Sequence, residues 1–291
     1  AGRVLRAAGF ALLGTMLTLA PWRSANAAPG SLRIGFVDPS LPGQPGAQNA
    51  AALEFAATRG SVERLRPINA GGWQDAQGRW TAPEEFDVIW FHQADDPAGA
   101  VLPESAIADL YEYLELGGVL LVSGAAGRVV NDLGVESTAA RILGPTSAAY
   151  LSGIHVVERH RKHPAFAGLD ASKLIVLTTL GGNALADFYG TPGPHGELLA
   201  EGNAGLGERP LVEYSLGAGR VIFVGWRLPD FTTKTDPHRP NLERLFGNLL
   251  DYLAGRNANR GIMVRPEGPS RYMRLLGTPI VRAAKPVKLA M

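Results

Sequence analysis

The chain has 291 residues, 46% of them hydrophobic and 19% charged, with a formal net charge of +1 and no cysteine. That length and balance suit one large domain or two small ones with a sizeable core, and exclude a disordered or fibrous chain. The missing cysteines exclude disulfides, thiolate metal sites and a cysteine nucleophile.

In chain order, the first segment reads as a targeting signal. Arg3 and Arg6 precede the apolar run Ala7 to Ala20, and Ala25-Asn26-Ala27 follows as an A-x-A cleavage site. A signal peptide over residues 1–27 is predicted, with export to the periplasm or the extracellular space. Contact with a membrane is expected only through a leader left uncleaved, because the apolar run is shorter than a span. The basic charge sits at the two ends. Residues 1–27 hold three arginines and no acid, and residues 256–291 hold eight Lys/Arg and one acid, Glu267. The body, residues 28–255, then holds 17 basic and 26 acidic residues and carries −9. A body of that sign repels a phosphate backbone, so nucleic acid is not expected as a partner. The tail 256–291 has no clear periodicity and reads as a basic linker or the start of a further segment.

The body alternates strand and helix. Leu32 to Val37 reads as a buried strand ending at Asp38, followed by a Pro/Gly loop, a helix over Ala50–Ala57 and a second strand over Val62–Ile68. Asp87 to His92 is a third strand, its apolar run being typical of a parallel sheet. A helix opens near Leu102-Pro103-Glu104, with Ile107, Leu110, Tyr111 and Leu114 predicted as its buried face. It stops at Gly117-Gly118 before a fourth strand, Val119–Val122, and a helix over Ala126–Leu133. Four strands joined by helices predict a doubly wound sheet. After Gly144, strands over Ile154–Glu158, Leu174–Thr178, Leu198–Glu201, Leu211–Ser215 and Val221–Val224 follow without helices, with Leu216-Gly217-Ala218-Gly219 as an antiparallel hairpin turn. A last helix carries Leu242, Leu245, Phe246, Leu249, Leu250 and Leu253 on one face and is expected to end at Gly255.

In such sheets ligands bind beyond the carboxyl ends of the strands. The residues delivered there are Asp38; His92, Gln93, Asp95 and Asp96; Ser123 to Gly127; and Trp226, Arg227 and Asp230. Asp38, His92, Asp95, Ser123, Trp226 and Arg227 are the candidate ligand-binding set, and Trp226 with an arginine and carboxylates suits a sugar. The Ser123–Gly127 turn has the small-x-nucleophile-x-small pattern of a nucleophile elbow, with Ala125 at the nucleophile position. Alanine carries no nucleophilic atom. His155, His160 and His163 lie close in sequence, but interleaved Arg159, Arg161 and Lys162 would repel a cation, so no metal is expected. Asp95-Asp96 are adjacent and cannot flank a glycosidic bond from opposite sides. No dinucleotide or P-loop fingerprint is present, and no cofactor is expected.

Four segments carry a family resemblance: Phe86 to His92; Leu116 to Gly124; His163-Pro164-Ala165-Phe166-Ala167-Gly168-Leu169; and Gly219 to Trp226 with the helix Asn241–Leu253. Over residues 32–254 the chain resembles the class I glutamine amidotransferase-like fold. Within it, the chain is most similar to an uncharacterised domain family of exported bacterial proteins found beside levanase- or invertase-like glycosidases. It is also similar to trehalose-utilisation-type domains and to the trimerisation domain of some β-galactosidases. The resemblance implies a cysteine at position 125 and a His-x-Glu pair after the last strand in active members. Here Ala125 and Arg227-Leu228-Pro229 stand instead, so glutaminase activity does not carry over. The expectation is an α/β, flavodoxin-like three-layer sandwich with a mostly parallel sheet and antiparallel strands in the C-terminal half. Its expected function is that of a non-catalytic, exported domain that binds glycan or assists polysaccharide degradation, with carbohydrate or a glycosidase module as partner. The alternatives are a carbohydrate-active hydrolase using His92 and Asp95, and an oligomerisation scaffold.

Overall fold

The structure is a computed structural model and describes residues 32–69, 71–147, 151–179 and 182–257. The expected leader, and the tail beyond 257, lie outside the described residues. Thirteen strands and four α-helices are described. They are β1 (Leu32–Val37), α1 (Ala47–Ala57), β2 (Gly60–Pro67), β3 (Trp73–Gln74), β4 (Trp80–Thr81), β5 (Val88–Gln93), α2 (Glu104–Glu115), β6 (Val119–Gly124) and α3 (Val129–Asp132). Then come β7 (Arg141–Leu143), β8 (Ser152–Val156), β9 (Ile175–Thr178), β10 (Leu185–Asp187), β11 (Glu197–Gly202), β12 (Leu211–Leu216), β13 (Gly219–Val224) and α4 (Arg239–Asn257).

Eleven of the described strands form one sheet in the order β4-β3-β2-β1-β5-β6-β13-β12-β11-β8-β9. The run β2-β1-β5-β6-β13 is parallel, and every described pairing outside it is antiparallel. This is a mixed α/β, flavodoxin-like arrangement. The change of direction at β12 follows from its hairpin with β13, where Leu216 pairs with Gly219. Only two residues turn the chain there, and Gly217, at φ +56°, supplies the left-handed backbone that so tight a hairpin requires. β7 and β10 make a separate antiparallel ribbon.

Alternate residues of the central strands divide the core. Ile34, Phe36, Val88, Trp90, Leu121, Ile222 and Val224 pack with α1 (Ala52, Phe55, Ala56) and with the face of α4 from Leu242 to Leu253. Val37, Ile89, Phe91, Leu120, Val122, Val221 and Phe223 pack with α2 and α3. Period-two alternation sends successive side chains to opposite faces, so a strand buried on both faces must be apolar throughout. β5 is buried along all six of its residues; Val88 to Phe91 are apolar, and the polar exceptions, His92 and Gln93, stand at its carboxyl end.

Several sequence expectations need correction. The buried stripe of α2 is Ala106, Leu110, Tyr113 and Leu114, while Tyr111 is exposed. Spacing alone does not separate the two tyrosines; Tyr113 goes inward because its hydroxyl reaches the Val119 carbonyl at 3.2 Å. Among its described residues the link from β2 to β5 holds no α-helix but the short strands β3 and β4 and a 3₁₀ turn over Pro83–Glu85, with Trp73 buried in the core. The expected helix 126–133 is a 3₁₀ turn over Ala125–Arg128 running into the single turn of α3. α1 begins at Ala47, three residues early, and α4 runs through Gly255 to Asn257 rather than ending at the glycine.

Candidate functional site

Because β1, β5, β6 and β13 are parallel neighbours, their carboxyl ends share one edge of the sheet. All six candidate residues lie at that edge, but they do not form one open mouth. Asp38 is fully buried. Its Oδ1 accepts from the Ser40 amide at 3.0 Å and hydroxyl at 2.6 Å, and its Oδ2 accepts from Arg64 Nε at 2.8 Å. Asp95 is also engaged: its two oxygens accept the Gln48 and Asn49 amides, each at 2.9 Å. Those are first-turn N–H groups of α1, and the residue before the helix, Gly46, has no side chain to cap them. Asp96 caps the next 3₁₀ turn through the Ala98 amide, at 2.9 Å.

His92 and Ser123 do meet. They are neighbours in the β5–β6 register, and Nδ1 lies 2.8 Å from the Ser123 hydroxyl. The Trp90 indole N–H donates to the same hydroxyl at 2.9 Å. The sequence reading missed this trio, because it appears only when the parallel register is known. The His92 ring is fully buried between Trp90 and Phe231, with centroids 5.9 and 5.8 Å away. Burial holds its pKa down at about 3, so the imidazole is neutral. Its Nε2 has no hydrogen-bond partner among the described residues. Such a serine–histidine contact has the distance of a nucleophile–base pair, yet both groups are closed off from solvent and the serine already accepts from an indole.

The backbone shape of an elbow belongs to Gly124 rather than Ala125. Gly124 ends β6 with φ +66° and ψ −142°, and a Cβ placed on it would overlap the Gln93 carbonyl. Ala125, one residue later, is buried with Ala100 and Ala184, and Ile142 of β7 packs on them. The β7–β10 ribbon therefore covers the turn. Ala186 of β10 receives the Trp226 amide at 2.9 Å.

Trp226 is 4% exposed and is the one non-glycine residue with positive φ, +53°, among those described. A bulky residue in that region is a backbone outlier held in place by its surroundings. Its ring meets the edge of the half-buried Tyr189 at 5.3 Å, and the Arg141 guanidinium lies 5.0 Å over the Tyr189 ring. Arg227 is also buried and donates to the Asn183 carbonyl. Asn183 is a site residue that pattern reading could not find, since Gly-Gly-Asn signals only a turn.

The three histidines diverge. His155 is exposed on β8, His160 Nε2 lies 2.6 Å from Glu197, and His163 Nε2 lies 3.3 Å from Glu213. Their turn is docked on the acidic pair Glu197–Glu213, which face each other across β11 and β12.

No family model matches the sequence, and no curated protein matches it. Solved structures do match the fold. PurLQS from Thermotoga maritima is 11% identical, covering 77% of this chain and 99% of its own, with a TM-score of 0.52. A ThuA-like protein from Parabacteroides merdae is 13% identical over 77% of this chain and 90% of its own, with a TM-score of 0.46. Another from Bacteroides uniformis is 13% identical over 81% and 94%, with a TM-score of 0.45. At such identities the likeness concerns the fold alone, the mixed α/β arrangement described above.

Two outcomes follow from this geometry. Gly124→Ala is expected to destabilise the protein by about 2 kcal/mol or more, read from urea denaturation, because its Cβ meets backbone and its φ is positive. Stability should also fall with pH below the ordinary histidine pKa of ~6.5. The unfolded chain takes up a proton there that folded His92 refuses down to about 3, so protons favour unfolding across that window. Unfolding curves of His92→Gln should show a shallower loss of stability between those two pH values than the unsubstituted protein.

Proposed function

We propose that this chain is an exported, non-catalytic domain of amidotransferase-like fold that binds glycan or assists polysaccharide degradation, with its helices as the outer layers of a three-layer sandwich. The observation that carries the non-catalytic reading is the elbow. The residue with elbow geometry is a glycine with no room for a side chain, and the turn after it is covered by the Ala100–Ala125–Ala184 cluster. The two helix pairs packing on alternate residues of the same strands support the layered reading.

The glycan reading rests on the loop after β13. Trp226 stands in a strained conformation beside Tyr189 and Arg141, and strain of this kind collects at ligand-holding loops. Trp226 itself is covered, so the aromatic surface open to a sugar is that of the half-buried Tyr189, with exposed Arg141 beside it. The second reading, a hydrolase using His92 and Asp95, has the His92–Ser123 contact in its favour. Against it stand the buried, neutral imidazole and the use of both Asp95 oxygens in capping α1.

Affinity electrophoresis through gels containing fructans and other polysaccharides tests the binding. Retardation by at least one polysaccharide is expected, weakened about tenfold in Tyr189→Ala, which is ~1.4 kcal/mol. No retardation in any gel, with Trp226→Ala behaving as the unsubstituted protein, would sink the glycan reading. Polysaccharide turnover abolished by His92→Ala would favour the hydrolase instead. Export is checked by N-terminal sequencing of the secreted protein, which should begin at Ala28.

A further inference from the structure

Two buried carboxylates beside that edge, neither of them in the candidate set, each keep an oxygen with no hydrogen-bond partner among the described residues. Asp187, at the end of β10, is 0% exposed, and its Oδ1 accepts three amides: Phe188 at 2.7 Å, Tyr189 at 3.1 Å and Arg209 at 2.9 Å. Its Oδ2 is buried without a partner. Glu208 is 1% exposed; its Oε1 accepts the Leu206 amide at 3.2 Å, and its Oε2 is buried without a partner. The Arg209 amide on Asp187 makes the two acids neighbours. Burial, and then the opposed pull of nearby amides and the charge of Glu208, leave the Asp187 carboxyl pushed up to about 7.

Buried carboxylate oxygens are costly unless a donor, a proton or a cation meets them. The guanidinium of Arg209, next to Glu208 in the chain, is turned to the Thr191 carbonyl at 3.2 Å, and that of Arg141 lies over the Tyr189 ring. A groove of about 230 Å³, lined by Glu201, Gly202, Gly205, Gly207, Glu208 and Arg209, leads from solvent to Glu208. We propose that Asp187 and Glu208 form a divalent-cation site of calcium type, entered through this groove.

The donors are all oxygen, with no imidazole or sulfur, which selects hard cations. Among the described residues no three His, Cys, Asp or Glu gather as a metal-binding group, so peptide carbonyls and water complete the shell. A glycine-rich turn adapts to the longer, irregular coordination of calcium more readily than to the strict octahedron of magnesium. Bound cation ties the 201–209 turn to β10, beside the Tyr189 amide that Asp187 already holds. The site itself does not depend on the glycan reading.

Thermal unfolding of the full chain in EDTA and in millimolar CaCl₂ or MgCl₂ tests this, with Tb³⁺ luminescence as a direct probe of binding. Calcium should raise the melting temperature saturably, by about 3 °C or more, and magnesium by less. The rise and the Tb³⁺ signal should both be lost in Glu208→Gln and in Asp187→Asn, and kept in Glu54→Gln, an exposed carboxylate on α1. Glu208→Gln keeps the acceptor for Leu206 and removes a buried charge, so in EDTA it should melt no lower than the unsubstituted protein. Absence of any calcium-dependent rise and of Tb³⁺ binding, or a rise of equal size in Glu208→Gln, would overturn the site.

Discussion

The register between β5 and β6 sets Gln93 opposite Gly124, and there the backbones approach so closely that residue 124 can carry no side chain. The same register sets His92 opposite Ser123 one step earlier. From this pairing follow the glycine at the turn, the enclosed Trp90–Ser123–His92 hydrogen bonds, and the small alanines under the β7–β10 ribbon. A side chain at residue 124 would have to displace the Gln93 backbone, which a close-packed interior resists.

Around that line the polar groups at the strand ends are employed in holding elements together. Asp95 caps the start of α1, Asp38 fixes Arg64 across β1 and β2, and Asp230 accepts from Gln48 at 3.2 Å, tying the loop after β13 to the start of α1. Each is a carboxylate satisfied by donors from a distant part of the chain, the condition under which a buried polar group is tolerated. The carboxyl edge of the parallel strands is thus a set of structural joints, with a strained Trp226 at its margin.

The strands and the last helix were legible from sequence because their signals are local. Buried runs such as Val88 to His92 and the six-residue apolar face of α4 depend only on residue type and period. The failures fall where long-range contact overrides period. Tyr113 displaced Tyr111 from the core through its bond to Val119, and α4 passed through Gly255. The short β7–β10 ribbon was invisible, since three-residue strands have no periodicity to read.

By itself, then, the sequence determined the α/β class, the negative charge of residues 28–255, the order of the main strands and the absence of any cysteine nucleophile. The six candidate residues stand at one edge because that follows from strand direction alone. Only the tertiary structure decided what each does there. Whether a carboxylate caps a helix, pairs with an arginine or lies without a hydrogen-bond partner depends on donors 20 to 50 or more residues away in the chain, as Asp38 with Arg64 and Asp95 with Gln48 show. No local pattern encodes those distances.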